Sequence, residues 1–356
     1  MRTAVEKAAY TDDVPEDREE LVKRLLGMDR GVVMFVGDVD TGKSTALMYV
    51  ANRLIEEGRS VAIVDSDVGQ KGILPPATIS LARPEERFFS LNELESKACY
   101  FIGTTAPAQY VGEMAVGVWR LVSLGKGSAD FVLLDTTGFV HGRGADMKRL
   151  KAELLRPELT VVLERSGELE GLKSALSPFT EFFDLKVSEA VRSYSRESRR
   201  SVRSMKWREY FSASREVILR DVRITGTTLF SGRRLERQEM ELLERIYGWI
   251  VFGGWQDPRG CYHVVKAGRY SPRHDCLHAV DVERLNNLLV GLIDSNGLCV
   301  AAGILKVPGL GDSDLTVLAP LDEGHVDTGE VVEVRFGRIR VTEDGEELEL
   351  LRRDDL

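Results

Sequence analysis

Residues 37 to 45 read GDVDTGKST, a glycine, four residues and then Gly-Lys-Ser, a spacing that serves phosphate chemistry. Gly37 and Gly42 let backbone N–H groups turn inward around a β-phosphate, Lys43 reaches the β- and γ-phosphates, and Ser44 offers a hydroxyl to Mg²⁺. Gly37, Asp38, Val39, Asp40, Thr41, Gly42, Lys43, Ser44 and Thr45 are therefore expected to hold ATP. Carboxylates in such a loop need a reason. Asp38 is expected to face solvent, because the loop binds phosphate through its backbone. Asp40 stands three residues before Lys43; it either pairs with that lysine, meets the incoming nucleophile, or is a plain surface aspartate.

A second constellation is DSDVGQKG at 65 to 72, with Asp65 and Asp67 two residues apart and so on one side of an extended segment. One carboxylate there would hold the Mg²⁺ water shell while the other accepts a proton from an attacking hydroxyl, with Gln70 orienting the nucleophile or the metal. Lys43, Asp65, Asp67 and Gln70 are the catalytic candidates, and Ser44 and Asp67 the metal ligands. The competing reading is a turn aspartate, which DVGQ also suits. FVLLDTTGFVHGRG, from residue 131, ends an apolar run in Asp135, Thr136, Thr137 and Gly138; Asp135 is a further candidate for metal or loop contact. No Asn-Lys-x-Asp or Thr-Lys-x-Asp follows to read guanine, which weighs against a regulatory GTPase.

Residues 192 to 208, RSYSRESRRSVRSMKWR, carry seven basic residues against Glu197 alone. Such a segment serves as a lid whose arginines offset charge on a transferring phosphoryl group, or grips a nucleic-acid backbone with Tyr194 or Trp207 for stacking. Helical spacing of Arg192, Arg196, Arg199, Arg200 and Arg203 also suits a solvated helix face.

These loops need a scaffold. GVVMFVG (31–37) reads as a buried parallel strand, and STALMYVANRLIEEG as a helix with Leu47, Val50, Ala51, Leu54 and Ile55 on one face and Gly58 at its end. SVAIVDSD, YFIG, FVLLDTTG and TVVLER alternate with the helical stretches VGEMAVGVWRLVSLG and ADMKRLKAELL. That is the pattern of an α/β P-loop domain, a mostly parallel sheet with helices on both faces. The expected layout is an N-terminal segment 1–30, the P-loop domain 31–215 with its arginine-rich lid at about 190–208, and a β-rich C-terminal domain 216–356 built from short β-branched runs and one helix near RRLERQEMELLERIYG.

Composition narrows the class. With 43% apolar residues the chain can bury a large core, and a net charge of −9 argues against generic polyanion binding, so any nucleic-acid contact must come from the local basic run. The N-terminus lacks a signal-peptide core, and no apolar run approaches the roughly 20 residues a membrane span needs; a cytoplasmic protein with no membrane contact is expected. Cys99, Cys261, Cys276 and Cys299 are too scattered for a disulfide framework, so reduced thiols are expected. Cys261, His263, His274, Cys276 and His278 cluster in sequence, but without a zinc spacing; half-buried strand positions explain them as well.

Taken together, GDVDTGKST, DSDVGQ, DTTGFVHGRG, TVVLER and the arginine segment ending KWREYF resemble, in order and over most of the chain, the polynucleotide 5′-hydroxyl kinases related to the kinase subunit of the eukaryotic mRNA cleavage factor, in an archaeal-type form. The resemblance implies transfer of the ATP γ-phosphate, with Mg²⁺, to the 5′-OH of RNA or DNA. It implies that Lys43 with Ser44 or Thr45 serves ATP and Mg²⁺, that Asp67 and Gln70 form the metal and nucleophile site, and that Thr136, Thr137, Gly138 and Phe139 clasp the substrate end. In the lid Arg199 matches best, with Arg192, Arg196 and Arg203 as further substrate contacts. Two positions depart from the family: Phe139 stands where tryptophan is usual, and Tyr194 falls where the first lid arginine belongs. Two other functions fit the same motifs, a nucleotide-hydrolysing switch and a non-catalytic ATP-binding scaffold, the latter with the β-rich domain docking RNA-processing proteins.

Overall fold

The computed structural model describes residues 15–269, 274–306, 314–321 and 329–356. Their contacts divide the chain into two compact units, Met1–Lys206 and Trp207–Leu356.

The first unit is built on a seven-stranded sheet. Strand β1 (Gly31–Gly37) is buried along its whole length, as its unbroken apolar run requires of a central parallel strand. It lies between β5 (Phe131–Asp135) and β6 (Leu159–Glu164), parallel to both. With β2 (Val61–Asp65), β3 (Thr78–Ala82), β4 (Ala98–Phe101) and β7 (Glu181–Lys186) the sheet order is β4-β3-β2-β5-β1-β6-β7. Only β3 runs against the other strands, pairing antiparallel with β2 on one side and with β4 on the other. The expected α/β fold is present, and β3, next to the edge strand β4 and unremarked in the sequence, makes the sheet mixed. Helices α2 (Lys43–Glu56), α3 (Val111–Lys126), α4 (Arg143–Leu155) and α5 (Glu170–Leu176) cover it. Helix α2 buries Leu47, Val50, Ala51 and Leu54, the stripe its periodicity marks, while Ile55 is half-buried.

Helix α1 (Glu16–Leu26) forms within the charged N-terminal segment, where composition alone suggests none. Acidic residues fill its first turn and Lys23 and Arg24 its last, complementing the helix dipole, and Leu21, Val22 and Leu25 join the core around α2. Register then sets the functional edge. Asp65 of β2 sits opposite Asp135 of β5, and Phe35 of β1 also pairs with Asp135. The loops after β1, β2 and β5 therefore leave the sheet side by side.

The division between units falls inside α6 (Arg196–Phe211). The second unit holds β8 (Arg215–Leu219), β9 (Arg223–Thr225), β10 (Arg233–Arg234), α7 (Arg237–Tyr247), β11 (Ile250–Gln256), β12 (Tyr262–Ala267), β13 (Leu277–Asp281), α8 (Val282–Leu285), β14 (Leu288–Ile293), β15 (Cys299–Lys306), β16 (Leu315–Ala319), β17 (Glu333–Val341) and β18 (Glu347–Leu350). These form one sheet ordered β18-β17-β14-β15-β16-β8, with β9 beside β17, and another ordered β10-β11-β12-β13. Helix α7 begins at Arg237, where Glu236 and Glu239 close a capping box.

One expectation about the cysteines fails. Cys261 and Cys276 are joined in a disulfide, because β12 and β13 are neighbouring parallel strands and each cysteine stands just before its strand. Cys99 and Cys299 are buried and take part in no disulfide among the described residues. Among the described residues no helix is long and apolar enough to cross a membrane.

Candidate active site

The loop after β1 is shaped by two glycines. A Cβ on Gly37 would stand 2.6 Å from Thr41 Oγ1 and 2.7 Å from the Leu163 carbonyl, so no side chain fits. Gly42 has φ 84°, in the left-handed region that favours glycine, and delivers the chain to the N-terminus of α2 at Lys43. Lys43 is buried, and its Nζ donates to the Asp38 carbonyl at 2.6 Å. Thr41 is buried and donates to the same carbonyl at 2.9 Å. Asp38 is half-buried rather than solvent-facing, and its Oδ1 accepts the Val39 N–H at 2.6 Å. Val39 is exposed and Thr45 half-buried. Ser44 Oγ donates to Asp135 Oδ2 at 2.5 Å, joining the helix start to the end of β5.

Asp40 answers the question of charge in this loop. Its backbone is left-handed, φ 54°, and its Oδ2 accepts both the Arg199 guanidinium at 2.5 Å and the Tyr194 N–H at 3.1 Å. Its carbonyl accepts Arg165 Nη2 at 2.9 Å. The carboxylate fastens the arginine-rich segment to the phosphate loop.

In the loop after β2, Asp65 is fully buried. Its Oδ1 accepts the Asp67 N–H at 3.0 Å, its Oδ2 accepts the N–H groups of Gly72 and Ile73 at 2.7 and 2.9 Å, and Lys71 Nζ lies 3.4 Å away. These bonds enclose the carboxylate and make Asp65 the organiser of the loop. Burial holds the Lys71 ammonium below the ordinary lysine value, against the pull of Asp65. Asp67 is half-buried, and its Oδ1 accepts the N–H groups of Gly69 and Gln70 at 3.1 and 2.9 Å. The turn geometry is thus real and does not remove the residue from the site's edge. Gln70 lines a shallow surface depression with Ser44, Asn92 and Lys206.

The loop after β5 divides differently from expectation. Thr136 is fully buried and donates to the Phe35 carbonyl at 2.7 Å, so it locks β5 to β1 and is closed to any substrate. Thr137 is buried; its hydroxyl and its carbonyl both accept Lys148 Nζ, at 3.0 and 2.8 Å. Gly138 passes so close to the phosphate loop that a Cβ there would stand 2.7 Å from Val39 N. Phe139 is half-buried, and its carbonyl accepts Lys148 Nζ at 3.2 Å.

Sequence reasoning missed the lysines of α4. Lys148 and Lys151 are both fully buried, and Lys151 Nζ donates to Ser66 Oγ at 3.0 Å. Ser66 in turn donates to the Asp135 carbonyl at 2.7 Å. Burial, with the neighbouring Lys151 and Lys43 charges, pulls Lys148 well below the lysine range, and burial lowers Lys151 to about 7 despite Asp67 and Asp135. A signal was present: Lys151 lies four residues after Met147 and four before Leu155, inside the apolar stripe of α4.

Of the lid arginines, Arg199 reaches the phosphate loop, Arg192 and Arg196 are exposed, and Arg203 is half-buried. Trp207 is fully buried in the second unit, parallel to Phe211 with ring centroids 5.8 Å apart. It is closed to base stacking.

For a divalent cation the structure offers a serine hydroxyl and a carboxylate already in contact at a helix N-terminus, Ser44 and Asp135, with Asp67 on the adjacent loop. Such a set suits Mg²⁺, which takes few protein ligands and completes its shell with phosphate and water. Among the described residues no group of three or more His, Cys, Asp or Glu side chains gathers to hold a metal, the Cys261 to His278 cluster included.

The family model described as mRNA cleavage and polyadenylation factor CLP1 P-loop matches residues 37–213. A polyribonucleotide 5′-hydroxyl-kinase of Thermococcus kodakarensis is 52% identical over 356 residues, covering 98% of this chain and 99% of that protein. One from Pyrococcus furiosus is 48% identical, covering 99% of each. The polyribonucleotide 5′-hydroxyl-kinase Clp1 of Danio rerio is 28% identical over 193 residues, half of this chain and 43% of that protein. Among solved structures, the wild-type Clp1p–Pcf11p complex superposes with a TM-score of 0.60 at 12% identity, covering 91% of this chain and 78% of that one, a likeness of fold.

Proposed function

This chain belongs to the polyribonucleotide 5′-hydroxyl-kinase family, and from that membership we propose how its residues divide the work of phosphorylating an RNA 5′-OH end. It is a kinase with a nucleotide phosphoryl donor; ATP is the donor in our reading. The observation that carries the assignment is the convergence of three loops at the ends of β1, β2 and β5, tied by the Ser44–Asp135 and Ser66–Asp135 hydrogen bonds.

The backbone of residues 37–42 and Lys43 hold the donor's phosphates. Ser44, Asp67 and Asp135 are the residues that would hold Mg²⁺, which would supply positive charge to offset that of the donor phosphates. Asp67 takes the proton of the attacking 5′-OH, and Gln70 orients that hydroxyl. Gly138 and Phe139 receive the terminal nucleotide, with Thr137 beneath them as support. Arg199 places its guanidinium beside the transferring phosphoryl group, and Arg192, Arg196 and Arg203 meet the RNA backbone. The match to 37–213 supports drawing the kinase domain to about residue 215, past α6. The β-rich domain 216–356 is the expected docking surface for RNA-processing proteins.

Transfer of labelled γ-phosphate from ATP with Mg²⁺ to matched 5′-OH RNA and DNA oligonucleotides tests the reading. The expected result is transfer to RNA that Lys43→Ala and Asp67→Asn abolish. ATP hydrolysis without transfer would overturn it in favour of a nucleotide switch.

A further inference from the structure

Lys148 belongs to none of the motifs that carry the family likeness, yet it has no solvent-exposed surface and sits beneath the loop that faces the acceptor. An ammonium has three N–H donors. The acceptors around this one are the Thr137 carbonyl at 2.8 Å, the Thr137 hydroxyl at 3.0 Å and the Phe139 carbonyl at 3.2 Å. All belong to one loop.

Burying a lysine is costly, and an apolar side chain of like volume is often the more stable choice at such a place. The cost is visible here, since burial draws the group well below the ordinary lysine value. The rest of the loop's surroundings leave it no slack. A Cβ on Gly144, four residues before Lys148 on α4, would stand 2.3 Å from the Phe139 carbonyl, so that carbonyl is seated between Gly144 and the Lys148 ammonium. On the opposite side Gly138 is in contact with Val39 of the phosphate loop.

We propose that Lys148 is a positioning residue for the acceptor: it fixes the backbone path of Thr137–Phe139 against the phosphate loop, and so sets where the RNA 5′ end is received. The proposal rests on the reading of Gly138 and Phe139 as the acceptor contact. Lys148 touches neither substrate. Its effect is to hold the receiving loop within the fraction of an ångström that in-line attack tolerates.

Lys148→Met keeps the length and volume of the side chain and removes all three donors. Steady-state transfer to a 5′-OH RNA oligonucleotide should show KM for RNA raised on the order of tenfold, with kcat at saturating RNA and the Kd for ATP moving less than about threefold. Lys148→Gln, which retains an N–H₂ group, gives the same readout if the methionine variant does not fold, with a smaller rise in KM. An unchanged KM for RNA, or equal losses in ATP affinity and in KM, overturns the proposal. Phe139→Ala is measured in parallel. If it raises KM for RNA and Lys148→Met does not, the role of Lys148 fails and the acceptor loop stands; if Phe139→Ala leaves KM unchanged, the acceptor loop reading fails and the role of Lys148 falls with it.

Discussion

Asp40 in the phosphate-binding loop and Arg199 on α6, 159 positions apart in the chain, meet in an ion pair of 2.5 Å, and the same carboxylate oxygen accepts the N–H of Tyr194. The side chains retain 16% and 25% of their exposure, so the pair is neither fully screened nor fully desolvated. A carboxylate at the edge of an anion site would repel the nucleotide were it not matched by this cation.

The pairing predicts how its two members fail. Arg199→Ala should lower kcat on the order of 100-fold, because it removes a charge from the transferring group as well as from the loop. Asp40→Asn should lower it by roughly tenfold, by releasing Arg199 from its station. A double-mutant cycle on kcat/KM reads their coupling; strictly additive losses would show that Asp40 does not act through Arg199.

The Ser44–Asp135 bond predicts a shift in cation dependence. Asp135→Asn should raise the Mg²⁺ concentration for half-maximal transfer on the order of tenfold while leaving transfer detectable at saturating Mg²⁺. Mg²⁺ titrations of the wild type and the variant decide it, and superimposable curves would remove Asp135 from the cation site.

Lys151 predicts a pH dependence of stability. Folding takes its ammonium from the ordinary lysine value of 10.5 to about 7, with burial as the main cause. Between those values the unfolded chain binds more protons than the folded one, so this residue makes stability rise with pH from about 7 upward, and its burial cost is felt in full below about 7. Lys151→Met should flatten the rise, seen as a smaller change in denaturant midpoint between pH 7 and 9 than in the wild type. An equal change in both proteins would show that Lys151 does not carry it.

Much of the scaffold was legible because its signals are local. Unbroken apolar runs such as 31–37 and 131–135 need burial on both faces, and the glycine spacing at 37 and 42 reports a backbone need that few residues meet. Contacts made across the fold were not. Nothing near Asp65 announces that Lys71, Gly72 and Ile73 will close around its carboxylate. Thr136 and Trp207 carry groups suited to a substrate, but β1 and the core of the second unit claim them. Lys148 and Lys151 drew no reading from the sequence, although Lys151 falls in the apolar stripe of α4 between Met147 and Leu155. Cys261 and Cys276, 15 residues apart, meet because the strands that follow them, β12 and β13, run parallel side by side.

Gly138 and Val39 have one more consequence. The loops after β1 and β5, to which the proposed function gives the donor and the acceptor, share a wall, since a single added carbon on Gly138 would stand 2.6 to 2.8 Å from three atoms of Val39. Any displacement that a nucleotide imposes on one loop is therefore felt by the other. Linkage makes that influence mutual: the factor by which bound ATP alters affinity for RNA is the factor by which bound RNA alters affinity for ATP. The two substrates are heard through the same partition, and thickening it at Gly138 changes what each one learns of the other.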